Sequence, residues 1–137
     1  ITTDIMVGFP GETDEEFENS LAFADKIKFA KAHVFSYSVR EGTLAAKMAD
    51  QIDPSLKEQR SRLMIGVTNA SAQEYLNAQI GNTTEVLFES RHHKLGYEGY
   101  TDTYCPVFVR SDELISGTIR QVIIADAAKE GLIGKLI

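Results

Sequence analysis

The sequence predicts two domains of different class: an α/β unit, built as a βαβ plus a long helix, followed by a small all-β barrel. Three observations carry this. An apolar run leads through a glycine-rich turn into a capped helical pattern and then into a second strand-like run. A longer helical pattern opens at Pro54. From Thr83 the chain breaks into short segments rich in β-branched and aromatic residues, separated by polar turns. The boundary is placed at Ile80 to Asn82, giving domains of residues 1–80 and 81–137.

Ile5-Met6-Val7 has the texture of a strand buried on both faces in a parallel sheet. Gly8, Pro10 and Gly11 then force a turn. Thr13 followed by Glu16 is a capping box, so a helix begins at about Asp14, with acidic residues in its first turn where the dipole favours them. Phe17, Leu21, Ala24 and Ile27 supply its buried stripe. Residues 32–38 read as a second strand, parallel to the first through a right-handed crossover. Residues 39–43 form a turn, 44–48 a short helix and 50–53 a loop. Pro54 suits the first turn of the long helix, with Asp53 as its cap. Leu56, Leu63, Met64, Val67, Ala70, Ser71, Tyr75 and Ala78 fall along one side of it, and Gly81-Asn82 ends it. Gly66 interrupts it at a cost of roughly 1 kcal/mol against Ala. Strands are then expected at 84–89, 99–104, 106–110, 118–125 and 131–137, in a closed or nearly closed barrel.

Composition narrows the function. With 137 residues, 43% hydrophobic and 25% charged, the chain can bury a core. A formal net charge of -6 argues against coating nucleic acid by bulk electrostatics. Neither half is basic: residues 1–80 hold 8 basic and 12 acidic side chains, and 81–137 hold 6 and 8. One Cys permits no internal disulfide and no cysteine cage for zinc or iron–sulfur. No run of about 18 apolar residues and no signal-peptide pattern occur, so a cytoplasmic protein with no membrane partner is expected. A chain opening at Ile1 directly into a strand-like run is expected to be part of something longer.

Two constellations could carry chemistry. Gly8-Phe9-Pro10-Gly11-Glu12-Thr13 leaves the carboxyl end of a parallel strand, where α/β folds place ligands. It lacks the Gly-Lys-Ser/Thr ending of a P-loop. Spacing alone fits a plain βα turn better than a ligand site. In the tail, Arg91-His92-His93-Lys94, then Tyr97, Tyr100, Tyr104 and Arg110, offer local positive charge and stacking rings for RNA, or an ordinary hairpin with surface charges. Adjacent histidines on a strand point to opposite faces, so no metal site is expected. Cys105 reads as a small buried hydrophobe.

The stretches TTDIMVGFPGETDEEFENSLAF and HVFSYSVREGTLAAKMADQI resemble the late part of the radical-SAM barrel of methylthiotransferases. The tail, from GYTDTYCPVFV to GLIGKLI, is similar to the TRAM domain of those enzymes. The resemblance implies an α/β fragment of a radical-SAM partial barrel followed by a TRAM (OB-like) barrel. It implies a parent enzyme that uses S-adenosylmethionine and two [4Fe–4S] clusters to add a methylthio group to a modified adenosine next to the tRNA anticodon. The tail leans towards the threonylcarbamoyl-adenosine class.

Carried over by position, Gly8, Phe9, Pro10, Gly11 and Glu12 would lie beside S-adenosylmethionine, with Val34, Phe35 and Ser36 near its adenine. Arg40 and Thr43 would face the substrate mouth. Arg91, His92, Lys94, Tyr97, Tyr100, Tyr104 and Arg110 would meet the anticodon stem-loop. The C-x-x-x-C-x-x-C of the family is missing, so no catalytic residue, no bound cofactor and no activity are expected of this chain alone. Rival readings are a ribosomal-protein methylthiotransferase, a stand-alone RNA-binding module and an α/β interaction domain. Open strand edges suggest a dimer.

Overall fold

A computed structural model describes residues 1–92 and 96–137, with the backbone alone at Arg91 and His92. The chain forms two compact units, residues 1–72 and 73–137.

In the first unit, β1 (Thr2–Val7) and β2 (Lys31–Ser36) pair in parallel, from Thr2 opposite Lys31 to Val7 opposite Ser36. Helix α1 (Asp14–Ile27) makes the crossover between them. Its capping box is present: the Thr13 hydroxyl accepts from Glu16 N at 3.2 Å, and the Glu16 carboxylate accepts from Thr13 N at 2.9 Å. A 3-10 turn at Ala45–Lys47 and helix α2 (Pro54–Asn77) follow. Asp53 caps α2, its Oδ1 accepting from Ser55 N at 2.8 Å. Phe17, Leu21 and Ala24 of α1 and Met64 and Val67 of α2 pack on Ile5, Val7, Ala32 and Val34.

That packing uses one face of the strands, which corrects the expectation of burial on both. On the other face Met6, paired opposite Phe35, is 46% exposed and Phe35 is 38% exposed. The reason is layering: the helices that build this core contribute to one side of the pair. Helix α2 also departs from its expected stripe. Its buried positions are Arg60, Met64, Thr68 and Ser71, while Leu63 and Ala70 face outward and Ala78, also exposed, lies past its end. It ends at Asn77, before Gly81.

The second unit is a closed five-stranded barrel of β3 (Thr83–His92), β4 (Gly96–Tyr100), β5 (Pro106–Val109), β6 (Thr118–Ala128) and β7 (Gly131–Leu136), in the order β3-β4-β5-β7-β6. All neighbours are antiparallel except β5 and β7, which run parallel. Register shifts between Phe88 and Ser90 and between Ile124 and Asp126 help the long strands curve to close it. Val86, Phe88, Val107, Val109, Ile115, Val122, Ile124 and Leu132 fill the core, and Tyr75 and Leu76 of α2 pack against it.

The strand expected at 99–104 lies earlier. After Tyr100 the chain turns: Tyr104 N donates to Thr101 O at 3.0 Å and Cys105 N to the Thr101 hydroxyl at 3.1 Å. Cys105 is buried, as expected, in this turn rather than in a strand. Among the described residues no helix is long and apolar enough to cross a membrane.

Candidate functional site

The bend after β1 sits at the carboxyl end of two parallel strands. Gly8 and Gly11 both take positive φ, 72° and 86°, which L side chains rarely adopt. Glu12 N donates to Phe9 O at 3.0 Å, and Gly11 N donates to Asp50 O at 2.8 Å, tying the bend to the loop before α2. The Glu12 carboxylate folds back. It accepts the Gly8 N–H and lies 3.6 Å from Arg60 Nη1, with only 15% of its side chain exposed. Arg60 Nη1 donates to Glu12 O at 2.9 Å and Nη2 to Asp14 Oδ1 at 2.6 Å. Its guanidinium is 5.4 Å from the centroid of Phe17, and its side chain is 3% exposed. A buried cation is tolerated only when paired and hydrogen-bonded in this way.

Gly8, Pro10 and Glu12 therefore form the closed side of the bend. Phe9, at 43% exposure, and Gly11 form its open side; a Cβ built on Gly11 meets nothing within 4 Å. Below Gly8 runs Lys57, whose stem fills the space a side chain there would need. Lys57 Nζ donates to Tyr37 O at 3.2 Å and stands 5.7 Å from that ring. Tyr37 N donates to Val7 O at 2.9 Å, extending the sheet pairing past β2. The Phe9 ring meets Tyr37 edge-on at 5.3 Å. The buried Tyr37 hydroxyl has no hydrogen-bond partner among the described residues.

The other positions expected at the cofactor do not share one surface. Val34 packs into the core with the helices, Ser36 is half-buried opposite Val7, and Phe35 lies on the open face, 5.7 Å from His33. His33 Nδ1 stands 3.9 Å from Asp4 on the same face. Arg40 and Thr43 are exposed. The Thr43 hydroxyl is engaged within its own turn, donating to Arg40 O at 2.8 Å and accepting from Ala46 N at 3.2 Å.

The tail residues divide as well. Tyr97 is buried in the barrel core and offers no stacking face. The half-buried Tyr100 donates its hydroxyl to Glu98 Oε1 at 3.2 Å, and the Glu98 charge pushes its pKa above the usual 10.0. Tyr104 is 85% exposed. By register Arg91 lies opposite Tyr97, and Tyr97 opposite Val109, so Arg91, His92 and the exposed Arg110 gather at one end of the barrel. Tyr100 and Tyr104 sit at the other end of β4. Lys94 lies outside the described residues. Among the described residues no group of three or more His, Cys, Asp or Glu side chains could hold a metal ion.

Sequence reasoning passed over Lys57 and Arg60. The signal was present for Arg60: it falls four residues after Leu56 and four before Met64, so it is a charge in register with the apolar stripe.

No family model matches the chain. Among curated proteins it is 40% identical over 137 residues to the tRNA-2-methylthio-N(6)-dimethylallyladenosine synthase of Desulfitobacterium hafniense (strain Y51), covering 98% of this chain and 31% of that protein. It is 37% identical over 131 residues to the threonylcarbamoyladenosine tRNA methylthiotransferase MtaB of Bacillus subtilis (strain 168), covering 93% of this chain and 29% of that one. The chain thus spans less than a third of the length of these relatives. Among solved structures, the apo form of Mycoplasma genitalium RNase R is similar at 13% identity and a TM-score of 0.40, over 69% of this chain and 21% of that one, too slight a likeness to argue from.

Proposed function

We propose, from the premise that this chain belongs to the tRNA methylthiotransferases as a C-terminal portion, that its first unit supplies part of an S-adenosylmethionine site and its barrel grips tRNA. The parent enzyme then adds a methylthio group to a modified adenosine beside the anticodon. The first unit is read as two strands of a radical-SAM partial barrel, and the second as a TRAM domain. The barrel order, with its first, second, third, fifth and fourth strands adjacent in turn, suits an OB-like Greek key.

The observation that carries this reading is the half-open bend. The exposed Phe9 and Gly11 stand at the carboxyl end of parallel strands, where the backbone can approach a ligand closely. The nearby Tyr37 hydroxyl is a buried polar group lacking a partner among the described residues, which a polar ligand would satisfy. These residues fit the nucleoside part of S-adenosylmethionine. Glu12 is assigned to holding the bend, and Val34 to the core. Phe9 and Tyr37 border the ligand and exclude water from it.

The clusters do not fit this chain. Its one cysteine is buried in the barrel unit, so cluster ligands must come from other segments of the parent. When bound, S-adenosylmethionine with its cluster supplies the radical and methyl-transfer chemistry. The residues of this chain position and shield.

For RNA, Tyr104 is the stacking platform and Arg91 and Arg110 are the phosphate contacts. Relatives of both adenosine classes match at similar identity, so both modified adenosines belong in the assay.

The test uses the full-length, cluster-reconstituted parent with tRNA, following the methylthiolated nucleoside by mass spectrometry. Phe9→Ala is expected to raise the KM for S-adenosylmethionine by about tenfold, the loss of roughly 1.4 kcal/mol of binding. An unchanged KM would remove the site from this bend. In gel shifts with anticodon stem-loop RNA, Tyr104→Ala is expected to cost roughly 1–3 kcal/mol. Arg110→Ala is expected to reduce the salt slope by about 1. Wild-type affinity in both variants would move the RNA contact elsewhere.

A further inference from the structure

Behind the bend, two cations of α2 converge on it from the side opposite the open surface. Lys57 and Arg60 are one helical turn apart and so share a face of α2. Arg60 reaches the far side of the bend and the start of α1, and Lys57 reaches the ends of both strands. Arg60 holds the Glu12 carbonyl, the Glu12 carboxylate and Asp14, 46 to 48 residues away in sequence. Lys57 holds the Tyr37 carbonyl just past β2, and its stem lies against Gly8 just past β1. The Glu12 carboxylate bridges the two halves by accepting the Gly8 N–H while facing Arg60.

We propose that Lys57 and Arg60 are positioning residues, which set from behind the shape of the 8–12 bend and the height of the Tyr37 carbonyl beside it. The proposal rests on the reading that the bend borders S-adenosylmethionine. Neither cation touches the ligand: the guanidinium is buried under the bend, and the ammonium is turned to a backbone carbonyl. Their influence passes through Glu12, Gly8 and Tyr37. Without Arg60 the Glu12 carboxylate loses its counter-charge and is freed to swing toward Phe9 and Gly11, where it would crowd the open side. Without the Lys57 ammonium, Tyr37 and the Phe9 ring against it lose their fixed height.

The experiment uses the full-length, cluster-reconstituted enzyme and measures KM and kcat for S-adenosylmethionine cleavage, with thermal midpoints alongside. Lys57→Met keeps the stem that fills the notch at Gly8 and loses only the donor. It is expected to raise KM about threefold at an unchanged thermal midpoint, with kcat moved less. Arg60→Met is expected to raise KM about tenfold or more. Arg60→Lys, which keeps the charge and loses the two-pronged grip, is expected to fall between.

Arg62→Met, which removes an exposed side chain 2.9 Å from Glu58, is the control and leaves both constants unchanged. If Arg60→Met does not fold, Lys57→Met and Arg60→Lys decide. A KM within twofold of wild type in Lys57→Met and Arg60→Lys, whatever their thermal midpoints, overturns the proposal. Phe9→Ala separates the two ways of failing. If it raises KM and the α2 variants do not, the positioning role is wrong and the site stands. If it also leaves KM unchanged, the site reading falls and takes this proposal with it.

Discussion

A buried guanidinium is stable only where it is paired: Arg60 donates to the Glu12 carbonyl and to Asp14 and faces the Glu12 carboxylate, while its buried Nε has no hydrogen-bond partner among the described residues. None of those partners is near it in sequence, which is why the residue was legible as an oddity in the stripe and not as a clasp. The two glycines of the bend allow a comparison at this same level. Both take positive φ, which costs an alanine roughly 1–2 kcal/mol. Gly8 also has the Lys57 stem where a methyl would stand, while Gly11 has open space. Gly8→Ala is therefore expected to lower the denaturant midpoint more than Gly11→Ala, and equal losses would show that the Lys57 contact carries no weight.

Glu16 gives the pH dependence. The Thr13 backbone N–H, and then its hydroxyl, hold the Glu16 carboxyl below its usual 4.5. A carboxylate made more acidic by folding adds stability above its unfolded value and loses it as pH falls through the lower folded value. The stability difference between wild type and Glu16→Gln is thus expected to be full above 4.5 and to close in more acid solution. A difference that widens there would contradict the capping box as its source.

Among the elements, the start of α1 was legible to the residue, because a capping box is written in four consecutive positions, whereas Ile27, expected in its buried stripe, is exposed. The strand β4 was not. Thr101, Thr103 and Tyr104 are strand-forming residue types, yet Thr101 satisfies the backbone of its own turn with its carbonyl and hydroxyl. That local bonding removes Tyr104 from the strand and leaves it exposed at the barrel end. The start of α2 was legible, its end at Asn77 was not, and its buried face was legible only in part, because Thr68 and Ser71 bury by bonding back to Met64 and Val67 carbonyls.

Gly66 lies mid-helix with nothing within 4 Å of a built Cβ. Gly66→Ala is accordingly expected to stabilise the chain by up to about 1 kcal/mol, measured by urea unfolding. A loss would mean that the position serves another contact.

For the molecule as a whole, two classes of unit in one chain were legible from the change of texture at Thr83. The strand order was not, because nothing local records that β7 inserts between β5 and β6. The one-sided burial of the β1–β2 pair was also hidden, since Ile5-Met6-Val7 reads alike for one covered face or two. That pair has an exposed Met6–Phe35 face and two strand edges without a further strand among the described residues. We expect the 137-residue chain to self-associate through those edges as concentration rises. Light scattering that reports a monomer at millimolar concentration would refute this.

The parallel contact of β5 with β7 has a consequence for biosynthesis. Val107, Phe108 and Val109 find their second neighbours only in Leu132, Ile133 and Gly134. Translation therefore delivers four strands that cannot seal, and the ring can shut only once residues 131–136 have cleared the ribosome. Nascent chains arrested before Gly131 has emerged should remain protease-sensitive throughout the barrel, and those extended far enough for Leu136 to leave the ribosome should become resistant together.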